Sequence, residues 1–317
     1  MEKILILEVH PQEQHRVVNE FDVTYKNLYN EHVPSWLSRI IRKTPFISEN
    51  FLYVGGKDFF DKFAWIVAWD TSINVKTLQW FKKSHLENKV MLVYTNKIGK
   101  RERKLYRKAK KLGGVQQCTY NLSDVKEFSI HYIPQVWDKE RLLRLLPMKN
   151  EIVEWDIIFV GAAKNRYNEI FGIEDVAKEM HLRTNFWVYA EQKLERTQQT
   201  RKSYSAYLDE ANRSNAILDI VGAENWGLTW RPLEALFLRK KLITNYADII
   251  SYDFYDNYRE NIYILDGNNT QGIVDFIKKP YKLCEVNLQS YTYEGWLSAL
   301  KALRNSVCED LNEKLSC

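Results

Sequence analysis

Short apolar runs rich in β-branched and aromatic residues recur along this chain, separated by stretches in which apolar positions return every three or four residues. In the first half the runs are KILILEV (3–9), the weaker NFLYVGG (50–56), AWIVAWD (64–70), KVMLVYTN (89–96) and FSIHYIPQV (128–136). Between them NVKTLQWFKKS and KRERKLYRKAKKL carry the helical period. WDKERLLRLLPMKNEIVEW, charged and broken by Pro147, interrupts the alternation, which then resumes with DIIFVG (156–161), NFWVYA (185–190), AILDIV (216–221), KKLITNY (240–246) and NIYILD (261–266). Helices are predicted over 164–181, 202–214, 229–239, 270–279 and 293–304. Such alternation predicts the α/β class, with parallel sheets covered by helices.

At 317 residues the chain is about twice a typical domain of roughly 150. We read a Rossmann-like domain over 1–137, a linker over 138–152, a second Rossmann-like domain over 153–290, and a final helix with its tail over 291–317. Composition narrows the function classes only a little. A net charge of +5 favours an acidic partner, with phosphates, anionic lipid and nucleic acid all left open. Cys118, Cys284, Cys308 and Cys317 are scattered without a CxxC pair, which points away from a disulfide framework or a zinc site and towards a reducing compartment. The opening MEKILILEVHPQEQ lacks the pattern of a leader, and no run approaches 18 apolar residues, so a cytoplasmic protein is expected. The 19 tyrosines and 10 tryptophans suit carbohydrate stacking and ordinary cores equally.

In open parallel sheets, ligands bind outside the carboxyl ends of the strands, where loops lead into helices. Two candidate constellations lie at such points. After DIIFVG, the residues Gly161, Lys164 and Arg166 sit at a strand-to-helix turn, where two cations with helix-start amides can hold a diphosphate. Lys164 and Arg166 read equally as solvated residues, although the helix dipole disfavours cations at that end. Further on, ENWGLTWRPLEAL places Gly227 and Thr229 at the opening of a helix, with Thr229 in the position of an N-cap and Pro232 in the first turn. Arg231 follows, and Glu234 lies one turn in, where its carboxylate could accept from a ribose diol or simply face water.

The run from DIIFVGAAKNRY through SNAILDIVGAENWGLTWRPLEALFLRKKLITNYADIISYDFYDNYRENIYILD resembles bacterial GT-B glycosyltransferases of lipopolysaccharide and capsule assembly. AWIVAWDTSIN followed by VYTNKI resembles the same group more loosely. The resemblance implies two Rossmann-like domains facing a central cleft, with a last helix that crosses back to the first domain. It also implies a nucleotide-sugar donor on the second domain, with Lys164 and Arg166 at its diphosphate and Glu234 at its ribose. The chain departs from the E-x7-E pattern of many retaining members, because Trp226 stands at the first glutamate position and Glu224 is two residues off register. Retaining stereochemistry is therefore not carried over. No D-x-D pair occurs in the chain, which agrees with a metal-independent site. No cofactor is expected, the nucleotide sugar being a substrate. If the transfer inverts configuration, a base in the first domain must take the acceptor proton. Asp70, at the end of AWIVAWD, and His10, after the first strand, are the candidates, their alternatives being a helix N-cap and a plain loop histidine.

Two basic segments bear on the acceptor. PSWLSRIIRKTPF (34–46) sets Trp36 and its apolar neighbours beside Arg39, Arg42 and Lys43. KIGKRERKLYRKAKKL (97–112), with Lys100, Arg101, Arg103 and Lys104 at its start, has nine basic residues against one acidic. Basic amphipathic helices can lie on anionic bilayers, and equally they can pack on a sheet with a solvated cationic face. The resulting expectation is a glycosyltransferase acting on a glycan or lipid-linked acceptor, peripheral on the inner membrane face, with no nucleic-acid partner. A non-catalytic nucleic-acid-binding protein using 97–111, and an inactive nucleotide-sugar-binding partner, are the alternatives.

Overall fold

The computed structural model describes residues 1–8, 13–34, 36–37, 40, 49–144, 152–222, 227–267, 270–284 and 288–315. The chain divides into two compact units, Met1–Ile133 with Leu297–Cys317, and Pro134–Trp296. Each has its own sheet, so the molecule is of the α/β class with two Rossmann-like units.

The first sheet is built from β1 (Glu2–Leu7), β2 (His15–Val18), β3 (Phe21–Lys26), β4 (Trp65–Trp69), β5 (Val90–Tyr94), β6 (Gln116–Thr119) and β7 (His131–Tyr132) in the order β2-β3-β1-β4-β5-β6-β7. All neighbours are parallel except the β2–β3 hairpin. Ile4–Leu7, Trp65–Ala68 and Val90–Tyr94 are buried along their lengths, as strands covered on both faces must be. Helices α1 (Gly56–Asp61), α2 (Val75–Lys83), α3 (Glu102–Leu112) and α4 (Leu122–Phe128) belong to this unit. Chain order reverses between β1 and β4, so the strand ends at Leu7 and Trp69 flank the crevice at the carboxyl edge.

Three expectations are corrected here. NFLYVGG is a 3-10 turn at Glu49–Leu52 followed by α1, not a strand. Gly55 and Gly56 take φ of 63° and 61°, which no strand accommodates, while Tyr53 stacks on Trp80 at 4.1 Å. FSIHYIPQV supplies only the two residues of β7, because Ser129 closes α4 in a left-handed conformation and Pro134 follows close behind. The hairpin β2–β3, HRVV and FDVTYK, was not among the expected strands, its alternation being diluted by polar positions. The expected helix over 34–46 lies mostly outside the described residues.

The second sheet contains β8 (Trp155–Ala162), β9 (Thr184–Tyr189), β10 (Ser214–Asp219), β11 (Lys241–Thr244) and β12 (Ile262–Ile264), all parallel, in the order β12-β11-β10-β8-β9. With it go α5 (Lys139–Leu143), α6 (Tyr167–Glu179), α7 (Tyr204–Asn212), α8 (Trp230–Leu238), α9 (Tyr255–Tyr258) and α10 (Gly272–Lys278). The long α11 (Tyr293–Leu315) runs well beyond the expected 304. The chain leaves β8 for β9 on one side and returns to β10 on the other, which puts the topological switch point between β8 and β10.

Candidate functional site

The carboxyl ends of β8 and β10 are joined by two arginines. Arg231, in the first turn of α8, donates to the carbonyl of Val160 at 2.7 Å and pairs with Asp219 at 3.2 Å, its guanidinium 5.0 Å from the Phe159 ring centre. Burial is the largest single influence and works against its charge, yet Asp219, Tyr207 and Glu234 together outweigh it and hold the guanidinium above its ordinary pKa. Asp219 itself is fully buried. Gly161 makes this brace possible, since a Cβ there would stand 2.6 Å from Nη2 of Arg231. Arg166 donates from Nη2 to the carbonyl of Ala162 at 2.6 Å and from Nη1 to that of Ile220. Burial first, and then the charge of Arg231, lower its pKa.

Arg166 also stands at the amino end of α6, and no side chain caps that end. Its Nε is buried with no hydrogen-bond partner among the described residues. Lys164 is exposed and held in a left-handed conformation, φ 46°, at the tip of the turn. Opposite it the chain leaving β10 is fixed by Asn245, which accepts from the amide of Val221 at 2.7 Å and donates to Glu169 at 2.8 Å. An uncapped helix end, an orphaned guanidinium N–H and an exposed lysine thus lie around one strand-to-helix turn, the kind of donor set that an anion complements.

At the second turn Thr229 is the N-cap of α8, accepting from the amide of Arg231 at 3.3 Å. Gly227 is partly exposed, and residues 223–226 before it lie outside the described residues. Gln135 reinforces this turn when its amide is oriented to donate to the carbonyls of Leu228 and Thr229 and to accept from Trp230 at 2.7 Å. Glu234 corrects the expectation of a carboxylate facing a ribose. It is 1% exposed, and its oxygens accept from the Tyr204 hydroxyl at 2.7 Å and from the Tyr207 hydroxyl. The carboxylate thus fastens α8 to α7, and burial raises its pKa despite the two hydroxyls. Arg231 is likewise a brace between strands more than a displayed cation.

In the first unit Asp70 lies at the end of β4, beside the β1–β4 switch point, and is 6% exposed. Oδ1 accepts from the amide and the hydroxyl of Thr95, at 3.2 and 2.8 Å. Burial raises its pKa above the usual carboxylate value. The N-cap alternative for Asp70 does not hold, because Asn74 caps α2 in a capping box with Thr77. His10 lies outside the described residues, as do Arg39, Arg42 and Lys43; Trp36 is exposed. On α3, Leu105 and Ala109 are buried and Lys104 faces solvent, as do Lys100 and Arg101 just before its start. Arg103 is drawn onto Glu127 and the Phe128 ring. Among the described residues no group of three or more His, Cys, Asp or Glu is placed to hold a metal ion, and no helix is long and apolar enough to cross a membrane.

Sequence reasoning missed Thr95, Asp219, Asn245, Tyr204 and Tyr207. Asp219 had a legible signal, a carboxylate ending an otherwise apolar strand, and the two tyrosines stand three apart on one helix face.

No protein-family model matches the chain, and no curated protein matches it. Among solved structures it is similar to the N-terminal domain of a Candida albicans trehalose-6-phosphate phosphatase, at 10% identity and a TM-score of 0.49, covering 92% of this chain and 83% of that one. It is similar to OtsA in its apo form at 7% identity and a TM-score of 0.49, over 96% of this chain and 95% of that one. A third likeness is to the Glycosylation Associate Protein (Gap123) complex of Streptococcus agalactiae, at 11% identity and a TM-score of 0.38; it covers 78% of this chain and about half of that one, 53%.

Proposed function

We propose that the protein is a glycosyltransferase of the GT-B kind that transfers a sugar from a nucleotide-sugar donor without a metal ion. The observation that carries this reading is the cationic turn at the β8–β10 switch point, which holds the exposed Lys164, the unpartnered Nε of Arg166 and the uncapped start of α6. A departing nucleoside diphosphate concentrates negative charge, and fixed donors of this kind stabilise it without reorganising. In this assignment Lys164 and Arg166 receive the diphosphate, and Gly161 gives Arg231 room to join the ends of β8 and β10. Thr229 and Gly227 shape the second turn, and Glu234 acts as a positioning residue through Tyr204 and Tyr207.

Asp70 is assigned the proton of the acceptor hydroxyl, its raised pKa suiting a base that must also release the proton. The acceptor is proposed to be a lipopolysaccharide-type or capsule-type glycan, or a lipid-linked one, with the cations of α3 resting on the anionic inner face of the membrane.

The test is a thermal-shift panel of UDP, GDP, CMP, ADP and dTDP, with and without magnesium, on wild type and Lys164→Ala. The expected result is a magnesium-independent shift for one nucleotide that shrinks in the variant, which alters only an exposed side chain. Absence of a shift with all five nucleotides would remove the assigned donor site.

A further inference from the structure

A cavity of about 380 Å³ opens in the second unit, at the carboxyl end of α8, away from the switch point where α8 begins. Its volume lies within the range of small-molecule sites, which is roughly 300 to 1,000 Å³. The wall combines ring and aliphatic surface from Phe237, Tyr258, Tyr281 and Leu283 with two cations, Lys139 and Arg239, and among the described residues it contains no acidic one. The Tyr258 hydroxyl is spent on the carbonyls of Ala235 and Lys240, so what it offers the cavity is its ring. Phe237 is held by stacking on Trp137 at 4.6 Å. Leu283 is 75% exposed, an apolar side chain left at the rim without cover among the described residues.

Arg239 is the informative residue. It terminates α8 in a left-handed conformation, φ 54°, with its own amide and that of Lys240 closing onto the carbonyls of Leu236 and Ala235. Glycine is the favoured residue there, and an L side chain costs about 1 kcal/mol. Both Arg239 and Lys139 are exposed, and among the described residues neither is paired with a carboxylate. Two cations without a carboxylate partner among the described residues, at the rim of a partly aromatic cavity, favour a ligand with the complementary halves: an apolar or ring-shaped body and one anionic head.

We propose that this cavity is a second binding site, independent of the nucleotide reading above, for a small amphiphilic anion of the aryl or alkyl phosphate or carboxylate class. Lys139 and Arg239 hold the anionic head, and Phe237, Tyr281 and Leu283 receive the body.

The experiment is calorimetric titration of the full chain with phenyl phosphate, with inorganic phosphate in parallel. Phenyl phosphate is expected to bind at least about tenfold more tightly than inorganic phosphate, because only the former fills the apolar part. Arg239→Gly, which relieves the backbone while deleting the cation, is expected to melt no lower than wild type and to weaken phenyl phosphate at least about tenfold. Lys164→Ala is expected to leave that affinity unchanged. No binding by wild type, equal binding of the two phosphates, or indifference to Arg239→Gly would each overturn the proposal. Loss in Lys164→Ala would place phenyl phosphate at the switch point instead and overturn it too.

Discussion

Glu234 and its two tyrosines show how a side chain with a plausible ligand role is consumed by the fold. Removing the carboxylate leaves two hydroxyls without an acceptor in a dry place, a loss of about 1 to 3 kcal/mol that Glu234→Ala should show in denaturant unfolding. Glu234→Gln keeps an acceptor and should lose much less; equal losses would mean that packing, not hydrogen bonding, holds α8 to α7. Asp124 gives the sharper pH test. It is inaccessible to solvent, accepts from the amide of Ile98 at 2.9 Å, and burial pushes its pKa from 3.8 to about 6. A raised folded-state pKa means that the native state holds the proton more tightly than the unfolded chain. Its contribution is complete below pH ~4 and is lost as the pH rises through ~6, amounting to ~3 kcal/mol across the window. Wild type is therefore expected to show a downward slope in unfolding free energy between pH 4 and 6, and Asp124→Asn to lose it. An unchanged slope would place that titration elsewhere. The sequence set Lys164 and Arg166 at a strand-to-helix turn correctly, because strand, glycine and helix period are all local signals. Where the Arg166 guanidinium points is not local, since one acceptor, the carbonyl of Ile220, lies 54 residues away in the chain.

Among elements, strands buried on both faces were the most legible, and strands defined by pairing alone the least. AWIVAWD and KVMLVYTN announce themselves by continuous apolar composition, whereas HRVV becomes a strand only because β3 lies beside it. NFLYVGG failed for the converse reason: apolar composition was present, but two left-handed glycines and the Tyr53–Trp80 stack bury it as a turn. The sequence offered two readings of the basic helix α3, and the structure satisfies one of them by burying Leu105 and Ala109. The other, a basic face lying on an anionic bilayer, is a prediction to be tested on its exposed cations. Wild type is expected to bind vesicles containing phosphatidylserine at low salt. The triple variant Lys100→Ala, Arg101→Ala, Lys104→Ala should bind on the order of 100-fold more weakly, at about 1 kcal/mol per cation. Added salt should weaken wild type far more than the variant. Wild-type indifference to anionic lipid would leave these charges as a solvated face.

For the whole molecule, α11 is the element whose two ends belong to different units: Trp296 closes the second and Leu297 opens the return to the first. Within the first unit Leu297 and Leu300 are fully buried, while Lys301 reaches Glu20 at 3.1 Å and Glu2 at 3.4 Å, and Arg304 reaches Glu2 at 3.8 Å. Exposed ion pairs contribute little against buried leucines, so the attachment is apolar and the charges orient it. Leu300→Ala should cost about 2 to 5 kcal/mol, and Lys301→Ala should leave the melting temperature nearly unchanged. Where that loss is felt can be read by hydrogen exchange. If the first sheet depends on the returning helix, the amides of β1 and β3 should exchange faster in Leu300→Ala while those of β8 and β10 keep their protection. Equal loosening of both sheets would mean that the two units unfold as one cooperative body, and that the division at Leu297 is one of geometry and not of energy.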